Sequence, residues 1–166
     1  SIGKPVLAAI HGFCVGGGCA IALTADLRYS ADDGVFAIPA ARLGLGYGSD
    51  GIERLIQEVG TPAAREIFFT ARRFSADEAL QMGLVNRVVP KAELDDFVRK
   101  TAEAIASNAP LTLRSAKLIM RELAKEPAKR NVPEMRESIT TCYASADYAE
   151  GVSAFLEKRR PEFEGR

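Results

Sequence analysis

Residues 4–19 constrain this chain more than any other stretch. Pro5-Val6-Leu7-Ala8-Ala9-Ile10 is a continuous apolar run between Gly3 and Gly12. A short run with such flanks reads as a buried strand of a parallel sheet. Gly16-Gly17-Gly18 follows, and then Cys19 to Ala25, an apolar segment that reads as a buried helix. The glycines stand where strand gives way to helix. There they let another backbone or a ligand come close. They also leave N–H groups free at the positive end of a helix dipole. An N–H so placed stabilises an anionic oxygen, the physics of an oxyanion hole. Tight packing of helix on strand accounts for the same glycines without any catalysis.

Downstream, Leu27-Arg28-Tyr29-Ser30 and Val35-Phe36-Ala37-Ile38 read as two more short strands. Ile52, Leu55, Ile56 and Val59 recur at helical spacing over residues 51–59. Thr61-Pro62 then predicts a fresh helix, with Thr61 as N-cap and Pro62 at its first position. Ser75-Ala76-Asp77-Glu78 has the form of a capping box, opening a helix that Gly83 stops. Residues 85–89 form a last strand before Pro90. Amphipathic helices are predicted over 93–107 and 111–125, and a final one, capped by Asp147, runs toward Lys158. Most of the 14 glycines fall in the first sixty residues, and the remainder is alanine-rich and charged. Strands alternating with helices give an α/β protein whose C-terminal part is all helical. The division expected is a sheet-bearing core over 1–90 and a helical region over 91–166.

Composition removes several classes of function. Lys+Arg and Asp+Glu both total 22, so the formal net charge is zero and neither nucleic acid nor an anionic membrane is an expected partner. No apolar stretch approaches the ~20 residues of a membrane span. The chain opens on Ser1 with no basic-then-apolar leader. Three cysteines, Cys14, Cys19 and Cys142, are too few and too odd for a disulfide framework, and fit a reducing cytoplasm. The single histidine, His11, rules out a histidine-rich metal site. A literal G-x-G-x-x-G lies at Gly46-Tyr47-Gly48-Ser49-Asp50-Gly51. The segment before it, Ala40 to Leu45, makes a poor strand, and the acid a dinucleotide site needs could only be Glu66, inside a helix. The dinucleotide reading therefore fails on context.

Taken in order, the motifs resemble those of the crotonase, or enoyl-CoA hydratase/isomerase, superfamily. They are Lys4-Pro5-Val6 running into Gly16-Gly17-Gly18-Cys19, then Ala25-Asp26-Leu27-Arg28-Tyr29, Leu43-Gly44 and Gly51-Ile52-Glu53-Arg54-Leu55. Residues 69–76, 79–85 and 150–159 continue the match to the end of the chain. The resemblance implies a crotonase-like fold of ββα-type repeats with a C-terminal helical trimerisation region. It implies an acyl-CoA thioester as substrate, with no cofactor beyond its coenzyme A moiety. Gly17 matches the position whose N–H polarises the thioester carbonyl, with Gly16 and Gly18 beside it in the substrate-binding turn. The second N–H of the family comes from an upstream loop. Roughly the first third of a usual member is expected to be missing here, leaving half an oxyanion hole and an exposed strand edge.

The family's hydratases place two glutamates around a water, one as base and one as proton carrier at the α-carbon. The matching positions here are Ala20 and Ala40, and alanine does neither job. Asp50 and Tyr47, in the loop after Gly44, are the nearest substitutes. Asp50 also suits the N-cap of the helix that follows, and Tyr47 suits a pocket wall. His11 is expected to make a structural hydrogen bond, and Cys14 and Cys19 to pack as small apolar groups. Phe155, Lys158 and Arg159 are placed on one face of the last helix. The resemblance brings that helix to a neighbouring subunit's CoA site in a homotrimer or hexamer, with Phe155 and Lys158 as substrate-binding groups. A solvated basic helix end is the alternative. Two functions stand at this point: an isomerase-like or atypical acyl-CoA enzyme, and a catalytically silent acyl-CoA-binding module.

Overall fold

The computed structural model describes residues 2–166, which divide into two compact units. One is Val6–Lys100. The other joins the residues before Val6 to Thr101–Arg166.

In Val6–Lys100, β1 (Leu7–Ile10) and β2 (Phe13–Val15) lead into α1 (Gly17–Ala22). Then come β3 (Leu27–Ala31), β4 (Val35–Ala37), a 3-10 turn at Pro39–Leu43 and α2 (Ser49–Thr70). β5 (Phe74–Ser75), α3 (Ala76–Gln81), β6 (Arg87–Val89) and α4 (Leu94–Ala106), which continues into the other unit, complete the order. One sheet has the order β1-β3-β6, all parallel, with Leu7 opposite Leu27 and Tyr29 opposite Arg87. The other has the order β2-β4-β5, with Cys14 opposite Phe36 in parallel pairing and Phe36 opposite Phe74 in antiparallel pairing.

β1 is an outer strand, so it is less buried than its composition predicts: only Ile10 is buried. β2 and β5 carry no sequence signature of their own. Gly12, at φ +59, turns the chain from the first sheet to the second within two residues. The helix predicted over 19–25 begins at Gly17 and stops at Ala22. The expected break between two helices is present inside α2. Gly60, at φ 73 and ψ 164, is the non-helical residue there, so Gly60 and not Thr61 takes the N-cap place and Pro62 comes second in the new helix. A core of Phe36, Ile38, Leu55 and Phe74, each nearly or wholly buried, lies between the elements. Each such side chain contributes roughly 1.5–3 kcal/mol. Tyr29, Ala31 and Leu94 form a second cluster, where Tyr29 meets Phe97 edge-on at 5.1 Å.

Both halves of the α3 capping box are made. Ser75 Oγ accepts from Glu78 N–H at 3.2 Å, and Ser75 N–H donates to the Glu78 carboxylate at 2.8 Å.

The helical unit holds α5 (Pro110–Leu123), α6 (Val132–Tyr143) and α7 (Ala146–Glu157). Asp147 does not cap α7. Ser145 does, its Oγ accepting from Tyr148 N–H at 3.1 Å. The buried Asp147 carboxylate instead accepts Glu164 N–H at 2.7 Å and Gly165 N–H at 2.9 Å, holding the C-terminal tail on α7. Lys158 is the left-handed C-cap, at φ 56, so α7 ends before it. Lys158 and Arg159 therefore do not share a helix face with Phe155. Arg159 turns back to Glu150 at 2.5 Å. Between these helices lies a groove of about 720 Å³ walled by Ile139, Tyr143, Tyr148, Val152, Phe155 and Phe163. No helix among the described residues is long and apolar enough to cross a membrane.

Candidate functional site

The junction of β2 and α1 is built on Gly16. Its φ of 55 and ψ of −113 belong to glycine, and its N–H donates to Ala37 O at 2.8 Å, tying the turn to β4. Gly17 and Gly18 differ from it. Neither has a positive φ, and a Cβ built on either meets nothing within 4 Å. Neither backbone strain nor helix–strand packing within the described residues accounts for glycine there. Gly17 opens α1, and the first N–H groups of a helix have no acceptor inside it.

The positions expected to face the glycine turn in a hydratase carry no carboxylate. Ala40 is 5% exposed and packs in the core cluster with Cys19, Ile38 and Leu55. Ala20 is half-buried in α1. Tyr47 packs against that same cluster and meets Phe68 edge-on at 5.0 Å. Its ring lies on Gly51, where an added Cβ would come within 2.6 Å of Tyr47 Cε1. Gly51 and Phe68 thus seat Tyr47. Only the glycine in the local sequence hinted at it. Asp50 is exposed and is not the N-cap of α2, a position held by Gly48 without a side-chain bond. It lies in the first helical turn and accepts from Ser49 Oγ at 3.3 Å, on the side of the helix dipole that favours a carboxylate. Among the described residues no hydrogen bond joins Tyr47 or Asp50 to the glycine turn. Phe155 and Lys158 belong to the helical unit.

Arg28 was not singled out by pattern, yet it organises this region. Its buried guanidinium donates to Ala25 O at 2.7 Å and to Leu84 O at 2.8 Å, and pairs with Glu58 of α2. It thereby fixes the segment leaving α1 against α2. The available signal was a cation between Leu27 and Tyr29 in a buried strand whose only other polar side chain is Ser30. His11 makes the expected bond, Nε2 to Asp95 Oδ1 at 2.9 Å. Cys14 and Cys19 are buried in the core as expected. The Cys19 S–H holds Cys14 below the usual thiol range, and that bond together with burial pushes Cys19 up. The described residues contain no group of three or more His, Cys, Asp or Glu arranged to hold a metal.

Comparison with known proteins agrees with this architecture. The family model described as enoyl-CoA hydratase/isomerase matches residues 1–166. Carnitinyl-CoA dehydratase of Escherichia coli O157:H7 is 39% identical over 170 residues, covering 100% of this chain and 65% of that protein. The Proteus mirabilis protein of the same name is 40% identical over 169 residues, covering 99% and 65%. This chain thus spans 65% of the length of these relatives. Among solved structures, an enoyl-CoA hydratase/carnithine racemase from Magnetospirillum magneticum superposes with TM-score 0.93 at 35% identity, over 99% of this chain and 61% of its own. An enoyl-CoA hydratase from Bacillus anthracis gives 0.92 at 33%, over 100% and 64%. With the family model matched from end to end and the backbone shared with these structures, the chain belongs to the enoyl-CoA hydratase/isomerase family and has its crotonase-like fold.

Proposed function

We propose that this chain processes an acyl-CoA thioester, with Gly17 N–H polarising the thioester carbonyl and stabilising the enolate oxygen that forms on loss of the α-proton. The observation that carries this reading is the open space over Gly17, where neither packing nor φ calls for glycine. A thioester oxygen needs that space. The name carnitinyl-CoA dehydratase, borne by relatives at 39–40% identity, supports a CoA thioester as the substrate class. No cofactor is invoked beyond the coenzyme A of the substrate.

Ala20 and Ala40 favour isomerase-like or otherwise atypical chemistry over hydration. Hydration needs one group to activate water and another to manage the α-proton, while isomerisation needs a single shuttle. Asp50 is proposed as that shuttle, with Tyr47 as its neighbour at the site. The same two alanines favour the second reading, a silent acyl-CoA binder. Titration calorimetry with several acyl-CoAs, beside a turnover assay, separates the two. Binding with turnover that Asp50→Asn removes supports the enzyme, and binding without turnover supports the module. Hydration of crotonyl-CoA is expected to lie far below that of ordinary hydratases, since each acid/base group lost typically costs ~10²–10⁴-fold. Brisk hydration would overturn this assignment. A homotrimer or hexamer is proposed as the assembly, with Phe155 and Lys158 near a neighbour's CoA. The 82% exposure of Phe155 supports a partner for it.

A further inference from the structure

We infer that Arg28 and Arg54 are positioning residues, which grip the C-terminal end of α1 and so set the direction of the Gly17 N–H at its other end. The catalytic consequence rests on the acyl-CoA reading of Gly17, and the grip itself on the hydrogen bonds of α1. Packing gives α1 little hold. Its sequence is Gly-Gly-Cys-Ala-Ile-Ala, only Cys19 and Ala22 are buried, and Ile21, its one large side chain, is 72% exposed. Side chains as small as Cys and Ala set the distance of a helix from its neighbour and constrain its direction weakly. A Cβ built on Gly16, Gly17 or Gly18 meets nothing within 4 Å, so packing does not hold the opening turn either.

Direction then falls to polar bonds at the two ends. At the start, Gly16 N–H donates to Ala37 O at 2.8 Å. At the far end, carbonyls find no partner inside the helix, and two guanidiniums meet those at and just after the C-cap. Arg54 Nη1 donates to Leu23 O at 3.4 Å, and Arg28 Nη1 to Ala25 O at 2.7 Å. Cations there also suit the negative end of the helix dipole. Both are anchored outside α1. Arg54 stands on α2, four residues before Glu58. Arg28, on β3 and 3% exposed, pairs with Glu58 and donates to Leu84 O at 2.8 Å. Its three bonds therefore reach three separate segments. A buried ion pair is a poor source of stability, because apolar residues of the same volume often serve as well or better. What an apolar pair would not supply is direction. A helix of six residues rises ~9 Å, so a tilt at Leu23 carries through to Gly17.

The test uses the whole chain and three variants. Arg28→Met with Glu58→Leu replaces the buried pair by apolar groups. Arg54→Met removes the exposed grip, with a Tm expected within a few degrees of native. Arg54→Lys keeps a donor for Leu23 O. Two-dimensional NMR reads the amide signals of Gly17 and Gly18, which should move in Arg54→Met and in the double variant and return toward native in Arg54→Lys. With acyl-CoA, kcat should fall about 10²-fold in the double variant and about tenfold in Arg54→Met, with KM little changed, because a misplacement of about 1 Å at the reacting centre costs on that order. A merely structural role would lower Tm and leave the kcat of the folded protein alone. If the double variant does not fold, the two Arg54 variants decide. Gly17 and Gly18 signals at their native places in the folded variants, or native kcat in them, would overturn the inference. If the chain binds acyl-CoA without turnover, affinity takes the place of kcat and should fall about tenfold. If the native chain binds no acyl-CoA, the reading of Gly17 fails, and the two glycine signals still decide the grip.

Discussion

At residue scale, Gly16 and Gly17 separate backbone need from ligand need. Gly16 holds φ 55 with ψ −113, so any side chain there is strained by roughly 1–3 kcal/mol. Gly17 has no such constraint and no neighbour for a Cβ. Gly17→Val should therefore fold with a Tm within a few degrees of the native chain. The same variant should lose acyl-CoA turnover or binding by about 10²-fold or more, because the side chain fills the carbonyl's place at an oxyanion donor. Thermal denaturation beside calorimetry reads both. Native binding by Gly17→Val would remove Gly17 from the site. The glycine run stood out in the sequence as a candidate site because three glycines between an apolar strand and an apolar helix need a reason. Which of them serves the backbone was not legible, since φ is set by the hydrogen bond from Gly16 to Ala37, more than twenty residues away in β4.

At element scale, what is local was readable and what is long-range was not. The Ser75–Glu78 box, the Gly60 break and the Gly83 stop are written within a few residues of where they act. β2 and β5 exist only because β4 pairs with them on either side. Asp147 was mistaken for a cap because its true partners, Glu164 and Gly165, come from the tail. Ser75→Ala should lower stability by about 1 kcal/mol, measured by urea unfolding, and leave acyl-CoA affinity unchanged. The tail offers a test in pH. Arg159, and then Glu162 N–H, hold the Glu150 carboxyl well below its usual range of about 4.5, at about 2. A folded-state pKa lower than the unfolded one gives stability that is complete above the unfolded value and lost as pH falls through the folded value. The attachment of residues 159–162 to α7 should therefore weaken between pH 4.5 and about 2. Amide exchange at Glu162 reads the release, and Glu150→Gln should flatten its pH dependence across that window. Protection at Glu162 that is constant through that range would show that Glu150 does not hold the tail.

At the scale of the whole molecule, the helical unit gathers exposed apolar side chains along one groove. Phe155 is 82% exposed, Leu156 73%, Tyr143 65% and Tyr148 52%, and all four wall one groove of about 720 Å³. Contiguous apolar patches of this kind mark surfaces that another molecule covers. A formal net charge of zero offers no general repulsion to oppose association. Symmetric copies of one chain are the commonest cover for such a face. Light scattering at micromolar concentration should give a trimer or a multiple of three, and a monomer would overturn the assembly. The double variant Phe155→Glu, Leu156→Glu should shift the mass to monomer, because it puts charge where an apolar partner must dock, while circular dichroism keeps its helical signal. Lys158 separates assembly from ligand. It is exposed and sits in the left-handed cap that ends α7, clear of the groove's apolar walls. Lys158→Ala should leave the oligomer's mass unchanged and weaken CoA binding by a few-fold, the scale of one solvent-exposed charge contact. Unchanged affinity in an intact oligomer would return Lys158 to the solvated surface and leave Phe155 alone as the contact offered to a neighbour's CoA.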